Sequence, residues 1–162
     1  MFVTALNAAT DRAWISAPYF VPDEAVIKAL ELAALRGVDV RIITTGKPDS
    51  LPVFLAAFYY IDQLRDLGIR FYAYQPGFLH SKVMLIDDHI STVGTANFDN
   101  RSFRLNFEVT AVIDDVAFAR EMEQMFEADF AHAEIIEADS LDDKPFWWRF
   151  GVSLSRLAAP AL

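Results

Sequence analysis

Gly37 and Gly68 each close an apolar helical stripe, and each is followed at once by a strand-like run. This repeated unit narrows the fold more than any other feature of the chain. Ala13–Pro18 (AWISAP) is predicted as a strand that stops at Pro18. Asp23, in Pro22-Asp23-Glu24, is placed to cap a helix whose positive end the acids favour. Val26, Ala29, Leu30 and Ala33 share one face of that helix, Gly37 stops it, and Val38–Ile43 alternates as the next strand. In the second cycle Asp49-Ser50 can cap a helix striped by Phe54, Ala57, Phe58, Ile61 and Leu64, which ends at Gly68. Ile69–Tyr74 is the following strand, and Gln75-Pro76-Gly77 is a turn. Strands spaced by helices of this length predict a parallel, helix-covered sheet.

The pattern then changes. Leu79–Asp87, Ile90–Val93 and Asn106–Ile113 read as strands with no helix between them. A long helix is predicted from about Asp115 to Ala133, with Phe118, Met122, Met125 and Phe126 on its inner face. The tail, Lys144–Leu162, is aromatic and then helical in character. The fold class expected is therefore α/β: a mixed β-sheet flanked by helices on both faces, in a single domain.

Composition sets the outer bounds. A chain of 162 residues suggests one domain that buries roughly 70% of its unfolded surface, and 54% hydrophobic content with 14 Phe is too apolar for disorder. The absence of Cys excludes disulfides, thiolate metal sites and Cys catalysis. A net charge of −9 argues against a general nucleic-acid binder, which needs a basic surface. The longest apolar run, Leu51–Ile61, is too short to span a bilayer, and the N-terminus lacks a basic signal-peptide region. A soluble, well-cored unit is expected.

The chemistry concentrates between Leu79 and Val109 (LHSKVMLIDDHISTVGTANFDNRSFRLNFEV). His80, Lys82, Asn97 and Glu108 stand there among apolar neighbours. Residues two apart on a strand share a face, so His80 and Lys82 are expected to point the same way. Each alone has a structural explanation: a hydrogen-bonded His, a snorkelling Lys, an Asn in a turn. Together they are costly to bury unless they meet one another or a ligand. The set suits a phosphodiester. An imidazole can attack phosphorus or donate a proton near neutral pH. An ammonium stabilises non-bridging oxygens, and Thr95 and Asn97 add directional donors. A carboxylate on the other imidazole nitrogen would fix its tautomer, and Glu108 is the candidate.

His80-Ser81-Lys82, four residues, Asp87, six residues, then Gly94-Thr95-Ala96-Asn97 resembles the HKD signature of the phospholipase D superfamily. Thr95 stands where that signature usually has Ser, and Glu108 matches the family Glu that pairs with the catalytic His. Pro18–Glu24 (PYFVPDE), Arg36–Arg41 (RGVDVR), Tyr74–His80 (YQPGFLH) and Asn97–Ser102 (NFDNRS) more narrowly resemble the second HKD half of bacterial cardiolipin synthases.

The resemblance implies a site built from two motifs face to face. One His forms a phospho-histidine and the other protonates the leaving alkoxide; no cofactor or metal is required. The implied reaction is phosphatidyl transfer between two phosphatidylglycerol molecules, giving cardiolipin and glycerol at the bacterial inner membrane. Only one motif is present here, since His89 and His132 do not complete another. Residues 1–162 are thus expected to be one HKD half of a two-domain enzyme, completed by a second copy or by another N-terminal half. Catalytic roles fall on His80, Lys82, Asn97 and Glu108. Asp87 is expected to position the strand end rather than transfer protons. Thr95, Arg101 and Tyr19 are candidate substrate contacts, with Arg101 and Arg104 equally able to pair with Asp99 or a backbone carbonyl. The expected partner is anionic phospholipid, not nucleic acid. Phe146-Trp147-Trp148 could sit at a lipid interface or close the core. Rival readings are a metal-independent phosphodiesterase or nuclease acting as a homodimer, and an inert isolated half; metal-dependent hydrolysis ranks last.

Overall fold

The computed structural model describes residues 1–47, 50–136 and 145–158. Asp49 of the expected second helix cap, and Lys144 and residues 159–162 of the tail, lie outside them. In chain order the elements are α1 (Phe2–Ala8), β1 (Arg12–Ser16), β2 (Phe20–Val21), α2 (Glu24–Leu35), β3 (Asp39–Thr45) and α3 (Leu51–Arg65). They continue with β4 (Arg70–Tyr74), β5 (Val83–Ile86), β6 (Ile90–Gly94), β7 (Phe98–Asp99) and α4 (Asn100–Arg104). The last are β8 (Thr110–Asp114), α5 (Val116–Ala131), β9 (Ala133–Ile135) and α6 (Phe146–Ala158).

Local signals set most of these bounds. The Asp23 carboxylate accepts the Val26 N–H at 3.0 Å, and Asp115 accepts that of Phe118 at 2.7 Å, so both helices start at a side-chain cap. Gly37 and Gly68 both take φ +87°, the left-handed conformation that ends a helix cheaply only at glycine. Val26, Ala29, Leu30 and Ala33 are the buried residues of α2.

The sheet is mixed, in the order β8-β6-β5-β1-β3-β4-β9. β1, β3 and β4 run parallel. β5, β6 and β8 add antiparallel strands beside β1, and β9 pairs antiparallel with β4. Strand alternation sorts the core into two layers. Ala13 and Ile15, Val40 and Ile42, Met84 and Ile86 face α1, α2 and α3. Trp14, Ile43, Tyr72, Val83 and Leu85 face α5 through Ala119, Met122 and Phe126. The expected α/β class, with helices on both faces, is found.

Three expectations need correction, the first two for non-local reasons. Leu79–Lys82 is not strand: β1 ends at Ser16, whose partner is Val83, so earlier residues have no strand to pair with. Asn106–Val109 is not strand either, because β6 ends at Gly94, opposite Thr110. A short helix, α4, interrupts the strand-rich region where Asp99 accepts the Ser102 N–H at 2.6 Å. The stripe of α3 is also wider than its sequence suggests. Ala56, Tyr60, Ile61 and Leu64 are buried, while Phe58 turns to meet Trp148 of α6 edge-on at 6.2 Å.

The aromatic tail is buried on one side only. Trp148 packs on α3 and Val152 is fully buried. Phe146, Trp147, Phe150 and Leu154 form an exposed stripe on the other side. No helix among the described residues is long and apolar enough to cross a membrane.

Candidate active site

Topology gathers the motif on one edge of the sheet. β1, β3 and β4 all end there. β5, antiparallel to β1, begins there, β6 ends there, and β8 begins there. His80–Lys82 therefore leads into β5, Gly94–Asn97 leaves β6, and Glu108 precedes β8, all side by side. The Gly94 N–H donates to the Lys82 carbonyl at 3.1 Å, and the Thr95 N–H to that of Val109 at 2.9 Å. Ser81, unremarked in the sequence, ties this loop to β1 through the Ser16 hydroxyl at 2.6 Å.

Gly94 has a steric reason. A Cβ there would stand 2.5 Å from the Thr110 hydroxyl and the Val109 carbonyl, so no side chain fits where β6 meets β8. Gly94→Ala is expected to cost about 2 kcal/mol by forcing these backbones apart. A urea titration should show the lowered midpoint.

His80 presents an exposed imidazole stacked on Phe78, ring centroids 5.7 Å apart. The Lys82 ammonium is half-buried and donates to the His80 carbonyl at 3.0 Å. Burial pushes its pKa down, while Glu108 and Asp99 pull the other way. Asn97 donates its N–H to the Ser102 hydroxyl at 3.1 Å, and its side-chain carbonyl is buried without a hydrogen bond. The NH2 of the same amide hydrogen-bonds the Asp99 carboxylate, which fixes the amide's orientation.

Glu108 departs from its expected role. Its carboxylate accepts the Thr95 hydroxyl, the Asn106 amide at 3.1 Å and the Ser102 hydroxyl at 3.3 Å, and no hydrogen bond joins it to the imidazole. The Thr95 hydroxyl leads in holding its pKa below the carboxylate range. The loop before β8 explains this: Thr95 also receives the Val109 N–H at 3.0 Å, so Glu108 meets that hydroxyl first. Asp99 is the carboxyl missed in the sequence. It is buried, which pushes its pKa up despite hydrogen bonds from Ser102. Its signal was local: Asp99 to Ser102 has helix-cap spacing.

Of the other candidates, Arg101 is exposed and donates to the Asn106 side chain at 3.3 Å, and Arg104 pairs with Asp23 at 3.3 Å. Tyr19 lies on the site edge, its ring 6.5 Å from that of Phe78. Asp87 lies at the other end of β5, where it caps the start of β1. His89, in the hairpin turn beside it, and His132 are both exposed.

A family model described as "Cardiolipin synthase, PLD-like domain" matches residues 2–130. Cardiolipin synthase A of Pseudomonas entomophila is 47% identical over 161 residues, covering 99% of this chain and 34% of that protein. The Pseudomonas fluorescens protein of the same name is 50% identical with the same coverage. The chain thus spans about a third of the length of these relatives. Among solved structures, the phospholipase D family member Nuc of Salmonella typhimurium superposes with TM-score 0.75 at 19% identity, covering 85% of this chain and 89% of that one. Phosphatidylserine synthase of Haemophilus influenzae superposes with TM-score 0.77 at 16% identity, covering 99% and 44%. Both share the fold.

Proposed function

Because the chain belongs to the cardiolipin synthase, phospholipase D-like domain family, we propose that it carries one half of a phosphatidyltransferase site. The transfer joins two phosphatidylglycerol molecules into cardiolipin and releases glycerol. The observation that carries this reading is the meeting of His80, Lys82, Thr95 and Asn97 on one sheet edge.

In the proposed reaction one imidazole attacks phosphorus, forming a P–N bond as the P–O bond to glycerol breaks. The facing imidazolium gives its proton to that glycerol oxygen. The hydroxyl of a second phosphatidylglycerol then attacks phosphorus, loses its proton to the facing imidazole, and displaces the first. Lys82 and the Asn97 amide hold the non-bridging oxygens, where charge builds up. Thr95 is held by Glu108, and that carboxylate sets the loop rather than the ring.

Two features favour a second motif facing this one. Lys82 shares its surroundings with Glu108 and Asp99, so a bound phosphate needs further positive charge. Leu105, Phe107 and Val109 are exposed around the site, an apolar rim suited to burial against a matching half. That half is a second copy or the remainder of a longer chain. The exposed stripe Phe146, Trp147, Phe150 and Leu154 suits contact with the headgroup region, which supports a reaction at a membrane surface.

The test is incubation with phosphatidylglycerol vesicles, alongside sedimentation equilibrium. Cardiolipin and glycerol should appear in equal amounts, in EDTA as without it, and only where the chain self-associates or a facing half is added. Release of phosphatidic acid alone, or cleavage of DNA, would overturn the transferase reading.

A further inference from the structure

A mainly apolar cavity lies beside this cluster rather than in it. It measures about 320 Å³, within the range of small-molecule pockets. Tyr19 and Phe20 after β1, Ala73 in β4, and Phe54, Ala57 and Phe58 of α3 form its apolar wall. Three of the polar groups in its lining are turned to other partners or to solvent. The Thr45 hydroxyl donates to the Lys47 carbonyl at 3.2 Å, the Gln75 amide donates to that of Ala73 at 3.1 Å, and Glu134 is exposed.

Its position matters more than its size. The wall is built where β1, β3 and β4 end, which is the edge that carries His80. Ligands of open α/β sheets bind outside these carboxyl ends. Two ring contacts join cavity and site: Tyr19 against Phe78 at 6.5 Å, and Phe78 against His80 at 5.7 Å. A molecule occupying both places has an anionic diester at one end and hydrocarbon at the other.

Resting on the lipid phosphodiester reading above, we infer that this cavity seats acyl-chain methylenes of the phosphatidyl donor, with Tyr19 and Phe78 separating chain from headgroup. Phe54, 37% exposed, stands at the rim. Each methylene that enters should tighten binding about fourfold until the cavity is full.

Calorimetry with monomeric phosphatidylglycerols of butanoyl to octanoyl chains tests this, with glycerophosphoglycerol as the headgroup without chains. The wild-type chain should show the rising series. Ala57→Phe, which fills the cavity, and Phe54→Asp, which puts a carboxylate at its rim, should flatten it and leave glycerophosphoglycerol affinity unchanged. Phe54 is partly exposed, so its replacement tests the idea even where Ala57→Phe melts early. A steep series that both variants keep, or a flat wild-type series beside firm headgroup binding, would overturn the acyl site alone. Headgroup binding that Lys82→Gln does not weaken would overturn the phosphodiester reading itself, and absence of any binding would overturn both.

Discussion

Replacing His80 with Asn is expected to lower phosphatidyl transfer by at least about a thousandfold and to leave the melting temperature where it was. The two halves of this expectation have separate grounds. The imidazole is exposed, its ring contact is the stack on Phe78, and it makes no side-chain hydrogen bond among the described residues, so the fold loses little with it. An amide neither forms a phosphoryl adduct nor exchanges a proton near neutral pH, so the chemistry loses its reacting group. Parallel measurement of product formation and thermal unfolding checks both. Activity within tenfold of wild type would remove His80 from the reaction, and a large drop in melting temperature would mean that the ring supports the fold.

Among the described residues the imidazole has no carboxylate hydrogen-bond partner, and Glu108 is engaged by Thr95, Ser102 and Asn106. The ring contact that orients the imidazole is the stack on Phe78.

What the sequence could reveal depended on how local the physics was. The caps at Asp23 and Asp115 and the stops at Gly37 and Gly68 are settled within a turn of chain, and all were legible. Strand lengths were not, because a strand ends where its partner ends. Ser16 and Gly94 decide that Leu79–Lys82 and Asn106–Val109 become the loops that carry the candidate site. Likewise the apolar stripe read on α3 could not show that its Phe58 meets α6, far along the chain. The motif picked out side chains that the fold brings together, but spacing could not say which oxygen each side chain would meet. Glu108 is the case in point: its position is as expected and its partners are not.

Asp87 is the residue of the motif most firmly tied into the fold, and its replacement should have the largest effect on stability. It takes φ +49° in the hairpin turn at the far end of β5. Its carboxylate accepts the N–H groups of Thr10, Asp11 and Arg12, at 3.1, 2.9 and 3.0 Å, and the Thr10 hydroxyl at 3.0 Å. Burial would raise its pKa, but these donors outweigh burial and hold it below the usual carboxylate range. The same turn anchors Arg12, which donates to the Asp87 carbonyl and pairs with Asp88 and Glu123. Asp87→Ala leaves three backbone donors without their acceptor and should cost about 3 kcal/mol. Asp87→Asn keeps one acceptor oxygen and should cost less. A depressed folded-state pKa contributes stability above the unfolded value, near 3.9, and that contribution is lost as pH falls through the folded value. The gap between wild type and Asp87→Asn should therefore be constant from neutral pH to about 5 and close below about 4. Urea unfolding at a series of pH values measures it. Asp87→Asn, while folded, should keep most of its transferase activity, since the carboxylate lies at the opposite end of β5 from His80. A folded Asp87→Asn protein as inactive as His80→Asn would place the residue in the chemistry after all.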